Sequence, residues 1–171
     1  MKNKAIAISI VIILSLTATL SIVSAQPTNK VCAKSFAVGA GLFLHDESGV
    51  THKHYFDFSV FDTNTKNSPV GSFNLVCVHG KEIAMIIKSD DITSFSIEKV
   101  KGGLMATFTG SATVKMDNGP WLEGWSFTVA AFDSNGKSND AISITLLNSD
   151  GQLHCTMELT PIASGNIAIK N

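Results

Sequence analysis

Between Leu104 and Leu147 apolar and polar residues alternate at every second position through three successive runs. That pattern suits an antiparallel sheet with one buried face and little else. Leu104, Ala106, Phe108, Gly110, Ala112, Val114 and Met116 share one parity, against Met105, Thr107, Thr109, Ser111, Thr113 and Lys115. Trp125, Phe127, Val129 and Ala131 then alternate with Ser126, Thr128 and Ala130, and Ile142, Ile144 and Leu146 with Ser143 and Thr145. Successive strand side chains point to opposite faces, so the first set of each run is the expected core and the second a Ser/Thr-rich outer face. The connectors Asp117-Asn118-Gly119-Pro120 and Asp133-Ser134-Asn135-Gly136 carry residues that accept positive φ or preset a turn. Phe108, Val114, Phe127, Val129, Ile142 and Ile144 are therefore expected in one core, with Trp125 beside them.

The remainder of the chain repeats the theme. Lys34 to Leu44 is apolar but interrupted by Gly39 and Gly41, which suits a strand with a bulge or a close backbone approach. After Asp46-Glu47-Ser48-Gly49 comes His52 to Asp62, with His54, Phe56, Phe58 and Val60 on one face and Tyr55, Asp57 and Ser59 on the other. Val70 to Val78 and Glu82 to Ser89 flank His79-Gly80-Lys81 as a hairpin, and Thr93 to Lys99, Leu153 to Leu159 and Asn166 to Ile169 add further strands. The expected fold class is all-β: a sandwich or flattened barrel of about ten short, mainly antiparallel strands.

The N-terminus sets the domain boundaries and the address. Lys2 and Lys4 precede an apolar run from Ala5 to Val23, and Val23-Ser24-Ala25 supplies small residues for signal peptidase before Gln26. Residues 1–25 thus read as a signal peptide, 26–33 as an N-terminal arm and 34–171 as a single β-sandwich or barrel domain. The run is also long enough to cross a bilayer, so a retained anchor is the alternative. Cleavage would make the product secreted, cell-surface or periplasmic, with no membrane attachment. It would leave 11 basic residues (13 less Lys2 and Lys4) against 14 acidic ones, a formal charge of -3. Such a balance argues against nucleic acid or an anionic membrane as partner.

Cys32, Cys77 and Cys155 remain in a compartment where disulfides persist. Cys77 shares parity with Phe73 and Leu75, and Cys155 with Leu153, Met157 and Leu159, which makes Cys77–Cys155 the preferred bridge. Unbonded thiols are the alternative, because spacing does not fix connectivity.

The succession Ala106-Thr107-Phe108-Thr109-Gly110-Ser111-Ala112-Thr113-Val114, Phe127-Thr128-Val129 with Asp133 and Asp140, Ile142-Ser143-Ile144, and Gly165-Asn166-Ile167-Ala168-Ile169 resembles the post-COAP domain family. The resemblance covers residues 104–169 and thins towards the N-terminus. Its members are small β-domains of secreted, mostly prokaryotic proteins, so it implies a fold and a location and brings no catalytic residues.

Three constellations carry candidate chemistry. His52 and His54 project from one strand face, and His45 lies across the hairpin; together they form a candidate Zn or Cu site, or else solvated hairpin-end imidazoles. Asp133, Asn135 and Asp140 gather oxygen donors in one loop as a candidate Ca²⁺ site, although turn chemistry alone explains them. Trp121 and Tyr55 are candidates for a glycan-stacking platform, whereas Trp125 has core parity. His79 and His154 stand in no motif. No Gly-x-Ser-x-Gly, His-Glu-x-x-His, phosphate loop or dinucleotide fingerprint occurs.

The expectation is an exported, non-catalytic β-domain acting as a structural or binding module, with an extracellular protein or glycan as candidate partner and no cofactor beyond the Zn/Cu or Ca²⁺ sites just named. The alternatives are a secreted metal-binding or carbohydrate-binding protein, and a hydrolase assembled from separate loops. A pocket with a carboxylate pair, or with Cys or Ser in reach of His, would mark the hydrolase.

Overall fold

The computed structural model describes residues 33–171 except 48, 64–68 and 137–138. The expected signal peptide, nearly all of the arm with Cys32, and the Lys137-Ser138 segment lie outside the described residues. These residues form eight strands: β1 (Ser35–Glu47), β2 (Val50–Asp62), β3 (Val70–His79), β4 (Glu82–Val100), β5 (Gly103–Met116), β6 (Trp121–Asp133), β7 (Ala141–Leu147) and β8 (Leu153–Lys170). Each pairs antiparallel with the next, and β8 returns to pair with β1, so the sheet closes into a barrel. Closure leaves no strand edge to manage.

The structure bears out the all-β reading and corrects its detail: there are eight strands, several of them long, in one barrel. Two expected breaks turn out to be bends. The gap at residues 90–92 between the expected strands Glu82 to Ser89 and Thr93 to Lys99 lies inside the 19-residue β4, where the register against β5 slips at Ser89/Asp91 and again at Ile92/Ser94. An extra residue at a bulge bends a strand and increases its twist, as a closing sheet requires. Thr160 to Gly165 likewise lies inside the 18-residue β8, whose first half pairs with β7 and whose second half pairs with β1.

The predicted faces of the meander hold. Phe108, Val114, Phe127, Val129, Ile142 and Ile144 are all buried, and Trp125 is buried beside them. An eight-stranded barrel is just wide enough for its interior to be filled by side chains. Here phenylalanine fills much of it: Phe73 and Phe127 have ring centroids 5.0 Å apart, and Phe58 and Phe108 5.2 Å. The glycines of β1 make room for these rings. A Cβ on Gly39 would come within 2.6 Å of the Phe58 ring, and one on Gly41 would strike the Ser164 carbonyl of β8. One expectation for β8 fails: Met157 is buried, but Leu153 and Leu159 are exposed, because register shifts break the strand's parity.

The outer face carries Tyr55 and Asp57 on β2, Thr107 and Thr109 on β5, and Ser126 and Thr128 on β6.

One end of the barrel holds both the start of β1 and the end of β8, and carboxylates tie it shut. Beyond the first residues of β7, the inner half of β8 has no strand on that side, and two aspartates take its place. Asp140 Oδ2 accepts from the Ile167 amide at 2.9 Å, and Asp133 Oδ2 accepts from the Ile169 amide at 2.9 Å.

Replacing Phe127 by Ala removes a buried ring from the centre of the aromatic cluster. It should cost roughly 3–5 kcal/mol, read as a lower urea midpoint with unchanged m-value. An unchanged midpoint would invert the assignment of faces.

Candidate functional site

In an up-and-down barrel the hairpin turns fall alternately at the two ends. The turns β1–β2, β3–β4, β5–β6 and β7–β8 therefore share the end opposite the aspartate clamps. All five histidines of the chain sit beside these turns: His45 and His52 at the first, with His54 one inward position deeper, His79 at the second and His154 at the fourth. They line one cavity of about 440 Å³ together with Cys77, Cys155, Met85, Met116 and Met157.

Register sorts these groups into two tiers, because residues directly opposite one another in an antiparallel pair share a face. The outer tier runs His45, His52, His79 across β1, β2 and β3. The inner tier runs Phe43, His54, Cys77, Met85, Met116 across β1 to β5. Bulges adjust the rim. The register slips between Leu146 and Leu147, where β8 goes from Cys155 to Leu153, so His154 is the extra residue and lines the mouth beside Cys155.

The geometry within the tiers is close. The His52 and His79 rings lie 3.9 Å apart between centroids, and His54 stacks on Phe43 at 4.7 Å. His54 Nδ1 is 3.1 Å from Cys77 Sγ. Two imidazole nitrogens, His52 Nδ1 and His54 Nε2, are buried with no hydrogen-bond partner in the protein. Their residues are only 8% and 4% exposed, so protein alone leaves them unsatisfied. A buried polar atom in that condition costs about 1–3 kcal/mol.

Burial, and then the neighbouring His45, His52 and His79, lower the His54 pKa from 6.5 to about 4. Burial, and then Cys155, push the Cys77 thiol from 9.0 up to about 12. At neutral pH the pair is thus a neutral imidazole and a protonated thiol, not an ion pair. One hydrogen lies between Cys77 Sγ and His54 Nδ1, which are 3.1 Å apart.

The sequence-derived sites fare differently. His45, His52 and His54 come together as expected, and the structure adds His79, His154, Cys77 and Cys155 to their cavity. As placed, no three His, Cys, Asp or Glu side chains among the described residues surround one point as a metal shell would. Cys77 and Cys155 both line the cavity, but Cys77 does so as a free thiol, so the expected Cys77–Cys155 bridge is not made: Cys77 stands on β3, Cys155 beside a bulge on β8, and no ladder pairs those strands.

In the proposed Ca²⁺ loop every carboxylate oxygen is already engaged. Asp133 Oδ1 accepts from the Asn135 amide at 2.8 Å, Asp140 Oδ1 accepts from the Ser134 amide at 3.0 Å and its hydroxyl at 2.9 Å, and the two Oδ2 atoms clamp β8. This loop closes the barrel instead of presenting oxygens to a cation. Tyr55 and Trp121 are both exposed, but they stand on β2 and β6, which are opposite one another in the ring of strands and face outward in opposite directions. They form no common platform; Trp121 instead lies under Lys88 Nζ at 5.0 Å.

His79 and His154 are the site residues that local motif reading passes over. The signal for them was positional: each flanks a turn that topology brings to the same end as His45 and His52. Compared with family models, with curated proteins and with solved structures, the chain has no match.

A depressed imidazole pKa makes stability depend on pH, with its sign fixed by linkage. Below pH 6.5 the unfolded chain takes up a proton at His54 that the fold refuses until about pH 4. The contribution is present in full above pH 6.5 and lost as pH falls towards 4, amounting to at most about 3 kcal/mol. Urea unfolding of chelator-treated protein between pH 7.5 and 4 should show this loss, reduced in His54→Gln. An identical profile in both proteins would place the titration elsewhere.

Proposed function

We propose that this is an exported, non-catalytic binding barrel that holds a transition-metal ion of the zinc or copper type at its histidine-lined mouth. The observation carrying this reading is convergence: every histidine in the chain, from three separate regions of sequence, faces one cavity that also contains thiols and thioethers. Imidazole, thiolate and thioether are the donors that zinc and copper prefer. Structural packing explains one buried histidine easily. It does not explain five at one end, two of them with unsatisfied buried nitrogens. The histidines on turn-flanking positions can rotate about two side-chain bonds, so the side chains close on an ion when one arrives. The exported address rests on the Lys2/Lys4, Ala5–Val23, Ala25 pattern and on the resemblance to secreted post-COAP domains.

A second reading, a cysteine hydrolase, draws on the 3.1 Å approach of Cys77 to His54. The protonation states oppose it. A catalytic cysteine is activated as a thiolate beside an imidazolium, whereas here burial favours the uncharged form of both groups. Slow alkylation of Cys77 by iodoacetamide in the folded protein at pH 7.5 would agree with the binding reading, and rapid alkylation would favour the hydrolase.

Titration of the purified protein with Zn²⁺, Cu²⁺ and reductant-maintained Cu(I), followed by calorimetry and elemental analysis, tests the proposal. Binding of at least one of these ions at pH 7.5 is expected. It should weaken as pH falls, because protons compete with the ion for its imidazole and thiol donors. It should also be at least tenfold weaker in His52→Ala/His54→Ala, about the minimum seen for groups that only support a metal site. Absence of binding, or binding indifferent to that double variant, would overturn the metal reading.

A further inference from the structure

From the division of the mouth into two tiers we infer that the ion it selects is monovalent copper, seated on the inner tier between Cys77 and His54 with Met85 as the thioether ligand. This inference rests on the reading of the mouth as a metal site and names the ion within it. The outer tier is purely imidazole, a borderline donor set that suits Zn²⁺ and Cu²⁺ alike. The inner tier is different in kind. Moving along it from β2 to β5, the residues are His54, Cys77, Met85 and Met116: one nitrogen donor, then three sulphurs. Met157 and Cys155 bring two more sulphurs to the same cavity from β8. Soft sulphur donors of this kind select Cu(I) over harder ions.

The spacing of the first two donors fits. An ion at about 2.3 Å from sulphur and 2.0 Å from nitrogen, in tetrahedral geometry, holds its donors about 3.5 Å apart. Cys77 Sγ and His54 Nδ1 are 3.1 Å apart, so the pair opens by a few tenths of an ångström to admit the ion. The protons also balance. In the ion's absence one hydrogen lies between Sγ and Nδ1. Cu(I) takes that position, one proton of the pair leaves to solvent, and the imidazole carries the remaining hydrogen on Nε2. One positive charge enters and one leaves. A buried site that begins neutral therefore ends neutral, whereas a divalent ion on the same two donors would leave a net positive charge in an apolar surrounding. Burial thus works in the same direction as donor softness. The three large methionines nearest the site, Met85, Met116 and Met157, include two that are buried, and each offers a thioether that contributes no charge. Met85 stands directly across the ladder from Cys77, where the β3–β4 register slips between Cys77 and Val78. A bulge at that point re-aims side chains towards the mouth.

The test measures Cu(I) and Zn²⁺ affinities separately, with Cu(I) supplied under ascorbate in anaerobic buffer and competed against a chromogenic Cu(I) chelator. In the unmodified protein Cu(I) binds in one equivalent and displaces Zn²⁺. Cys77→Ser should weaken Cu(I) by more than about 100-fold, beyond the 10–100-fold typical of residues that only support a ligand. Met85→Leu, which preserves volume and apolarity, should weaken Cu(I) by about tenfold or more and leave Zn²⁺ affinity unchanged. Circular dichroism confirms that each variant is folded; where Cys77→Ser is not, Met85→Leu carries the decision. X-ray absorption of the copper-loaded protein should show sulphur in the first shell. Zn²⁺ bound in preference to Cu(I), or Cu(I) binding that survives Met85→Leu and Cys77→Ser but fails in His52→Ala/His79→Ala, would overturn the inner-tier assignment and leave the metal reading standing. No binding of any ion would overturn both.

Discussion

Closure of the sheet on itself is the constraint from which the other features follow. Once β8 pairs with β1, every strand has two neighbours, and each side chain must point either into the lumen or out to solvent. An eight-stranded lumen has room for little more than the side chains themselves. The alternation first seen between Leu104 and Leu147 is the chemical form of that choice. So is the pairing of large and absent side chains across β1 and β2: Phe56 and Phe58 are accommodated because Gly41 and Gly39 stand opposite them. Aromatic bulk on one strand and glycine on its neighbour solve a single packing problem. Substituting either side of the exchange therefore strains the other, although the two residues lie far apart in sequence.

Closure also explains why two stretches rich in polar residues remain strand. Asp90 and Asp91 look like the end of an element when only local preference is weighed. In the barrel they are held by particular bonds: Thr113 Oγ1 donates to Asp90 at 2.9 Å, and Asp91 Oδ1 accepts from the Ile92 amide at 2.9 Å. The ladder continues through them because β5 supplies partners on one side, and the bulges supply the bend. Sheet propensity depends on such context more than helix propensity does. For this reason the faces of the meander were legible from sequence while the strand count was not. Local alternation determines which way a side chain points; it does not determine whether a polar interruption ends a strand or bends it.

The candidate site divides along the same line. His52 and His54, two apart on one strand, announce themselves in a short window, and His45 lies across a visible hairpin. His79 and His154 are joined to them only by topology, and topology was the part the sequence left open between sandwich and barrel. In a sandwich, alternate turns need not converge. In a closed up-and-down barrel they must. Cys77 and Cys155 show the converse: parity correctly placed both towards the interior, but parity says nothing of which strands end up beside one another around the ring, and a bridge needs that information. For Asp133 and Asp140 the residue types admitted calcium, and the outcome turned on two β8 amides whose need for acceptors becomes visible only when β7 is seen to stop short of them.

The two ends of the barrel thus distribute stability and reactivity unequally. At the clamped end, polar groups are satisfied: Asp140 alone accepts from two amides and a hydroxyl, and Ser134 Oγ accepts from the Asn139 amide in turn. At the open end, imidazole nitrogens are buried without partners, and a thiol is held protonated beside a neutral imidazole. The unpartnered nitrogens lower the stability of the unliganded fold, and on the proposed reading an ion entering the mouth would replace the hydrogen shared by Cys77 and His54. Destabilisation confined to one end, with the start of β1, the end of β8 and the carboxylate clamps gathered at the other, allows the mouth to retain unsatisfied donors without loosening the aromatic middle. A domain whose only task was to be rigid would gain by replacing His54 with a phenylalanine to match Phe43 and Phe56. An ionisable ring stands there instead, stacked on Phe43 and 3.1 Å from a thiol, an exchange of packing for chemistry that the proposed ion-binding role would account for.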